Sequence, residues 1–216
     1  MKQNQTSQDS HMKHNSFSRS LLLPLLICSL SACSSHTEKK DHTKDATAIT
    51  DTRKAEHQDI RANMEKVKLA TASTDFKGGS SLEELIAIFG QPSQHEEKAA
   101  GSVTLDSYTW QFDHVTVNIN LYENSSIVKT IANFAFIRDL ALSLKDYNSL
   151  KKGMTYDEVK QLLTEPDNYS QANSSEKETI QAIWISGLKA QTQGANIALT
   201  FENNQLTEMS QVGLED

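Results

Sequence analysis

The chain has 216 residues, with 21 basic and 28 acidic side chains and a net charge of −7 at neutral pH. An acidic protein repels a phosphate backbone, so we expect no nucleic-acid partner. Both cysteines lie at or before residue 33. The remaining chain therefore has no thiol for a disulfide, a metal site or a nucleophile, and we expect no cofactor and no metal.

The N-terminal segment is typical of an exported precursor. An apolar run at 21–30 suits the core of a signal peptide and is too short to cross a bilayer as a helix. It leads into Leu30-Ser31-Ala32-Cys33, which resembles the bacterial lipobox. The resemblance implies cleavage before Cys33 and a diacylglyceryl anchor, with palmitate as a typical chain, on its thiol. A plain secretory signal is the alternative, and Met1 and Met12 both remain open as the first residue.

Residues 33–62 are predicted to form a flexible tether. Between Ser34 and Ala62 the chain has almost no large apolar side chain, so it cannot offset the conformational entropy lost on folding. Roughly thirty such residues have a root-mean-square reach of about 30 Å. The predicted domains are a signal peptide at 1–32, this acidic and polar tether at 33–62, and two folded units at 63–140 and 141–216.

One short pattern occurs twice at a constant offset of 74 residues, at 79–92 and at 153–166. Trp110 and Trp184 keep the same offset. A fixed period with matching glycine and proline residues predicts a duplicated structural unit. A short insertion at 70–78 precedes the pattern only in the first copy.

Each copy of the pattern predicts a short amphipathic helix. Ser81 and Thr155 suit the N-cap, and Glu84 and Glu158, three residues later, complete a capping box. Apolar residues at i, i+3 and i+4 give each helix one buried stripe, and a proline ends it. We assign the acidic residues of the first turn to capping rather than to catalysis.

Alternating apolar and polar residues after each helix predict antiparallel strands at 108–112, 115–121, 183–185 and 197–201. Final strands are predicted at 127–136 and 206–212, after turns that contain asparagine. Aligning Tyr122-Glu123-Asn124 with Phe201-Glu202-Asn203 gives an offset of 79. This alignment predicts that the second hairpin loop is five residues longer than the first.

Together these motifs carry a resemblance to a known fold. A Gly-x-Ser/Thr-x-x-Glu-Val/Leu helix ending at a proline, a tryptophan strand and an aromatic-Glu-Asn turn all occur twice. They are similar to the tandem-repeat fold of the β-lactamase-inhibitory protein and of Gram-positive lipoproteins that share it. The small outer-membrane-assembly lipoproteins carry one related unit. The resemblance implies an α+β fold of two tandem units, each a helical pair packed on a four-stranded antiparallel sheet, with one combined concave surface.

The resemblance and the N-terminus favour a non-catalytic binding module on the outer face of the cell membrane. Its ligand would be a protein or a cell-envelope component held on the concave sheet. Tyr108, Trp110 and Trp184 are the candidate ligand-binding residues if their face of the sheet is the open one, because aromatic side chains anchor interfaces. If they point toward the helices, they belong to the core.

Three alternative functions remain. A structural accessory of envelope assembly would match the outer-membrane relatives, and a β-lactamase inhibitor would match the protein that gives the fold its name. An enzyme is disfavoured, because the chain has no Ser-His-Asp order, no metal-ligand spacing and no glycine-rich phosphate loop. We therefore assign no catalytic residue, and the ligand, the type of host envelope and the oligomeric state stay open.

Overall fold

A computed structural model describes residues 57–134, 142–186 and 194–216. The predicted signal peptide, Cys33 and most of the tether lie outside these residues. The α-helices are α1 (Gln58–Asn63), α2 (Leu82–Phe89), α3 (Leu144–Ser149) and α4 (Tyr156–Leu163), with 3-10 turns at Met64–Lys66 and Ala72–Thr74. The strands are β1 (Gln94–Ala100), β2 (Val103–Phe112), β3 (Val115–Tyr122), β4 (Ser125–Ala132), β5 (Asn168–Asn173), β6 (Glu178–Ile185), β7 (Asn196–Glu202) and β8 (Gln205–Val212). No helix in the described ranges has the length and apolar character needed to cross a membrane.

The eight strands form one antiparallel sheet in the order β1 to β8. β4 pairs with β5, from Val128 opposite Ala172 to Ile131 opposite Tyr169. The prediction of two units, each a helical pair on its own four-stranded sheet, is therefore wrong. The molecule is mainly one continuous sheet, with helices of only six or eight residues. Pairing β4 with β5 gives partners to backbone groups that two separate sheets would leave at exposed edges.

Helix α1 lies before residue 63, the predicted start of the first folded unit, and it packs into the core. Ile60 is 6% exposed, and the side chain of Arg61 is 11% exposed. One apolar residue within a long polar segment gives no periodic signal, so the sequence alone placed this helix in the tether.

Helices α2 and α4 begin at the predicted capping boxes. The Glu84 amide donates to Ser81 Oγ at 3.3 Å, and the Ser81 amide donates to the Glu84 carboxylate at 2.9 Å. Thr155 and Glu158 make the same two hydrogen bonds at 3.2 and 2.8 Å. Each box satisfies two amides that would otherwise lack a partner, which confirms the capping prediction.

The main core lies between all four helices and one face of the sheet, which we call the helix face. In β3, the residues at 115, 117, 119 and 121 are buried and those between them are half-buried. The buried residues pack against helical side chains such as Leu85, Val159 and Leu163. We call the opposite face, which carries the alternate residues of each strand, the open face.

The β3–β4 and β7–β8 turns correct the alignment of the two copies. Asn124 Oδ1 accepts a hydrogen bond from the Leu82 amide at 3.0 Å, and Asn204 Oδ1 accepts one from the Tyr156 amide at 3.1 Å. Leu82 and Tyr156 are equivalent first residues of their helices, so Asn124 corresponds to Asn204. The predicted alignment is therefore wrong by one residue. The difference matters because a one-residue slip moves every side chain of a strand to the other face.

The insertion at 70–78 crosses one end of the sheet onto the open face. The Ala70 amide donates to the Ser126 carbonyl at 2.8 Å, and Asn173 Nδ2 donates to the Ala70 carbonyl at 2.9 Å. Phe76 then packs edge to face on Tyr122, with ring centroids 6.3 Å apart. The result is a second, smaller apolar cluster of Ala70, Ala100, Leu105, Ile127, Val128 and Ala172, packed with Phe76, Val103 and Tyr122.

Candidate binding surface

One row of side chains crosses the open face from edge to edge. Strand pairing aligns one residue of every strand in this row. All but the last are uncharged and polar, and the inner members are half-buried. We call it the polar row, and it consists of Gln94, Thr109, Asn118, Thr130, Ser170, Gln181, Thr200 and Glu208.

Hydrogen bonds within the sheet hold the middle of the polar row in place. Asn118 Nδ2 donates to Thr109 Oγ1 at 2.9 Å and also approaches the adjacent Ser107 Oγ at 3.0 Å. The hydroxyl oxygens of Thr130 and Ser170 are 2.9 Å apart and join β4 to β5. Small hydroxyl and amide groups fixed in this way both donate and accept hydrogen bonds, and they are easily desolvated compared with charged groups.

The chemistry of the row suits recognition rather than proton transfer. Its inner residues carry no group that titrates near neutral pH. In the described ranges, no group of three His, Cys, Asp or Glu side chains is placed to hold a metal ion. The row therefore offers a ligand hydrogen bonds and shape.

Trp110 and Trp184 lie on the helix face, where they are 1% and 0% exposed. Trp110 Nε1 donates to the Gly90 carbonyl at 2.8 Å, and Trp184 Nε1 donates to the Thr164 carbonyl at 3.0 Å. Gly90 and Thr164 directly follow α2 and α4, so each indole ties the end of a helix to the sheet. These two tryptophans were chosen as ligand-binding residues on the condition that they lie on the open face, and they do not. They are core residues whose one polar atom is satisfied.

Tyr108 is half-buried, but it too lies on the helix face, opposite Ile119. Its ring stacks on His95 with centroids 4.4 Å apart, and His95 Nε2 lies 2.8 Å from Asp106 Oδ1. Burial raises the pKa of Tyr108, and the carboxylates of Asp106 and Glu83 raise it further. The structure thus separates Tyr108 from the polar row, and it does not bring the three predicted aromatic residues together on an open surface.

The predicted lipid-attachment residue, Cys33, lies outside the described residues, and its modification stays a prediction. The polar row was missed by sequence reasoning. Its signal was partly visible as the alternation of Thr116, Asn118 and Asn120 with apolar neighbours in β3. Finding the row also requires the pairing register of all eight strands, which no local pattern contains.

In the described residues, the fold is a single sheet with short helices on one face and the polar row on the other. The chain belongs to the DUF3862 family, described as "Domain of Unknown Function with solved-structure structure", whose profile matches residues 56–214. It is also similar to the crystal structure of a Streptococcus mutans protein described as a "putative beta-lactamase inhibitor protein". The identity is 42%, the match covers 75% of this chain and 100% of that chain, and the TM-score is 0.69. This similarity confirms the resemblance to proteins of the β-lactamase-inhibitor type, and no curated protein matches the chain.

Proposed function

We propose that the protein is an extracytoplasmic lipoprotein that binds a protein or a cell-envelope component through the open face of its sheet, without catalysing a reaction. The polar row carries this proposal. At ~4.8 Å between strands, a row across eight strands is about 34 Å long. With strands of roughly 20 Å, the whole face measures about 700 Å², against the ~800 Å² per partner of a standard interface. The insertion at 70–78 covers one part of this face, so the area left for a ligand is smaller.

The anchor in this proposal comes from the lipobox resemblance at Cys33. A diacylglyceryl group would hold the protein on the outer face of the plasma membrane of a Gram-positive cell. Replacing Cys33 with Ser should abolish labelling of the protein by a palmitate analogue and release it from the membrane fraction. Unchanged labelling of the Cys33→Ser variant would contradict the anchor.

We also propose that the two halves arose by duplication. The indole hydrogen bonds of Trp110 and Trp184, which keep the offset of 74 residues, support it. A second matched pair is the Ser126 amide with the Ser80 carbonyl at 3.1 Å and the Leu206 amide with the Met154 carbonyl at 2.8 Å.

Photo-crosslinking in the native host tests the binding face. A photoreactive phenylalanine analogue is placed at Thr130 or Gln181 on the open face, or at exposed Lys145 on α3 as the matched control. We expect one shared adduct from Thr130 and Gln181 that is absent from Lys145. The purified partner should then bind the Thr130→Arg variant at least about tenfold more weakly than the wild type, since a long charged side chain blocks the centre of the face. Adducts from Lys145 alone, or unchanged affinity of Thr130→Arg, would contradict the proposal.

A second candidate function is inhibition of a β-lactamase, which the description of the Streptococcus mutans protein favours. The purified chain is mixed with a panel of β-lactamases, and hydrolysis of a chromogenic substrate is followed. Inhibition that Thr130→Arg removes would identify a β-lactamase as the ligand. If the whole panel stays fully active at micromolar concentrations of the chain, this candidate is wrong, while a different ligand remains compatible with the open face.

A further inference from the structure

A polar cleft of about 100 Å³ lies on the helix side of the molecule. Its lining residues Lys129 and Tyr169 directly adjoin Thr130 and Ser170 of the polar row, on the opposite face of β4 and β5. Residues from α1, β4, α4 and β5 line it, so both sequence halves contribute. All of its lining residues except Met64 are polar or charged, namely Arg61, Glu65, Lys129, Tyr156, Lys160, Glu165 and Tyr169.

Two buried polar atoms in this cleft, Arg61 Nε and Tyr156 Oη, find no hydrogen-bond acceptor within the described part of the chain. The side chain of Arg61 is 11% exposed and Tyr156 is 9% exposed. Burial raises the pKa of Tyr156, and the nearby Arg61 guanidinium lowers it only in part. The hydroxyl therefore keeps its proton, and the cleft presents two neighbouring donors. Buried donors without a partner destabilise a fold, so they point to a group that accepts hydrogen bonds.

The charges around the cleft favour an anion. Arg61 Nη2 donates to Glu165 Oε2 at 2.7 Å, and Lys160 Nζ lies 3.3 Å from Glu165 Oε1. Lys129 makes no such ion pair within the described ranges; its ammonium group donates to the Met64 and Val67 carbonyls at 3.1 Å each. Burial is the main cause that lowers the pKa of Lys129; the Arg61 charge lowers it further, while Glu65 and Glu178 raise it. The lining carries three basic side chains, Arg61, Lys129 and Lys160, and two acidic ones, Glu65 and Glu165.

The backbone next to the cleft is strained. Thr164 has φ 67° and ψ −157°, a region that is almost restricted to glycine. The equivalent residue of the first half, Gly90, adopts φ 82° and ψ −167° without a side chain. The strained residue directly precedes Glu165, the carboxylate that orients Arg61. Strain of this kind is often found at binding sites.

We propose that this cleft binds a monoanionic carboxylate group. The carboxylate accepts hydrogen bonds from Arg61 Nε and Tyr156 Oη, and the positive charge of Lys129 attracts it. The volume suits a group of the size of acetate rather than a whole metabolite. A phosphate dianion is disfavoured, because Glu65 and Glu165 line the same cleft. The carboxylate comes either from a free small acid or from an acidic side chain of a peptide segment, and the site lies on the face of the sheet opposite the polar row.

The Nε–Hε NMR resonance of Arg61 in the full-length chain labelled with nitrogen-15 is a direct probe. Sodium acetate, sodium chloride and inorganic phosphate are titrated separately at constant ionic strength. We expect a saturable shift with acetate, no saturable shift with chloride, and binding of phosphate at least about fivefold weaker than that of acetate. No saturable shift with acetate, or tighter binding of phosphate, would overturn the proposal.

A pair of capped dipeptides separates the two sources of the carboxylate. Acetyl-Ala-Asp-amide carries the group, and acetyl-Ala-Asn-amide is the isosteric control without charge. Binding of the Asp peptide at least about fivefold tighter than acetate would assign a peptide carboxylate, and the reverse order would assign a free acid. Equal shifts from the Asp and Asn peptides, together with no response to acetate, would overturn the site.

Tyr156→Phe removes one donor and keeps the ring in the core. We expect about fivefold or greater loss of acetate affinity, as for one lost hydrogen bond to a charged group. Tyr147→Phe is the matched control, because it removes a hydroxyl that donates to the Met209 carbonyl at 3.3 Å away from the cleft, and it should bind as the wild type does. Lys160→Gln, on the surface of α4, should also weaken binding and tests the charge without a core substitution. Wild-type affinity in both Tyr156→Phe and Lys160→Gln would contradict the proposal.

Discussion

The open face differs between the region next to the β3–β4 turn and the region next to the β7–β8 turn. We call these regions its apolar end and its polar end. Beside the first turn, the insertion at 70–78 covers apolar side chains, whereas the second half has no insertion. With the alignment set by Asn124 and Asn204, the covered residues Val103, Leu105, Tyr122, Ile127 and Val128 correspond to Lys177, Thr179, Glu202, Thr207 and Glu208. An ion pair between Lys177 and Glu202 stands where Val103 and Tyr122 pack in the first half.

The presence of the loop and the polarity of the surface beneath it go together. Where a loop covers the sheet, apolar residues gain from burial. Where no loop is present, the same positions face water, and exposed apolar side chains there would promote association. The two halves therefore remain alike on the helix face, around Trp110 and Trp184, and differ on the open face.

The largest expected difference between the two ends is at Ile127 and its counterpart Thr207. Ile127 is 0% exposed, so Ile127→Ala leaves a cavity and should lower the free energy of unfolding by about 2–5 kcal/mol. Thr207 is half-buried, and Thr207→Ala should lower it by about 0.5 kcal/mol or less. Urea denaturation of both variants measures the losses. Equal losses would show that the two ends do not differ as described.

Replacing Thr71–Lys77 with a two-residue Asn-Gly turn uncovers the apolar end. We expect the free energy of unfolding to fall by about 1–3 kcal/mol, chiefly through the lost burial of Phe76 and of the residues under it. The variant should also bind a hydrophobic fluorescent dye and associate in solution, as light scattering would detect.

Giving the uncovered residues the polar identities of their counterparts in the second half should restore the solubility of the shortened chain. Introducing V103K, L105T, Y122E, I127T and V128E together should abolish dye binding and association of the shortened chain. Persistent association in this variant would mean that the loop, and not the surface under it, controls solubility.

The strained backbone at Thr164 gives a smaller effect of opposite sign. Thr164→Gly should raise the free energy of unfolding by about 1 kcal/mol, because relief of strain outweighs the added freedom of the unfolded chain. The reciprocal change, Gly90→Thr, should lower it by about 1–3 kcal/mol, since the position has φ 82°. Thermal unfolding measures both variants, and a destabilised Thr164→Gly would show that the threonine backbone is not strained.

The smallest effect concerns pH and the cap of α4. Hydrogen bonds from Thr155, first from its amide and then from its hydroxyl, lower the pKa of Glu158 from 4.5. The Glu158 carboxyl group therefore binds a proton more weakly in the folded state than in the unfolded state. The stabilisation is present above the unfolded pKa and is lost as the pH falls through the folded pKa. The gap in stability between the wild type and Glu158→Gln should therefore narrow from about pH 6 to about pH 3. Glu208→Gln, which changes an exposed residue of the polar row, is the control. A difference in unfolding free energy between the wild type and Glu158→Gln that does not change with pH would contradict the capping role.

The parts of the fold that could be predicted are those set by neighbouring residues. Both capping boxes depend on contacts three residues apart, and the alternation in β2, β3, β6 and β7 marks buried strands within short windows. β1 and β5 gave no alternation, because the edge strand β1 is charged and mostly exposed and β5 is largely polar. The pairing of β4 with β5 joins residues about 40 positions apart, and no local pattern contains it.

The binding surface shows the same limit. Tryptophan at a repeated position is compatible with an interface or with a core, and only the pairing of Trp110 with Val117 and of Trp184 with Ile197 decides for the core. The offset of 79 was wrong because the aromatic-Glu-Asn match ignored which side of the strand each residue occupies. The cleft depends on Arg61, a residue in a segment whose composition is that of a linker.

Because β4 pairs with β5, the two halves of the sequence belong to one sheet and cannot be separated without exposing new strand edges. Cutting the chain between the two sequence copies would turn two central strands into edges, each with a row of unpaired amides and carbonyls. The natural edge at β1 is protected by charged residues such as Glu96 and Lys98, whereas β4 carries Ile127, Val128 and Ile131. Each isolated half would therefore be prone to self-association.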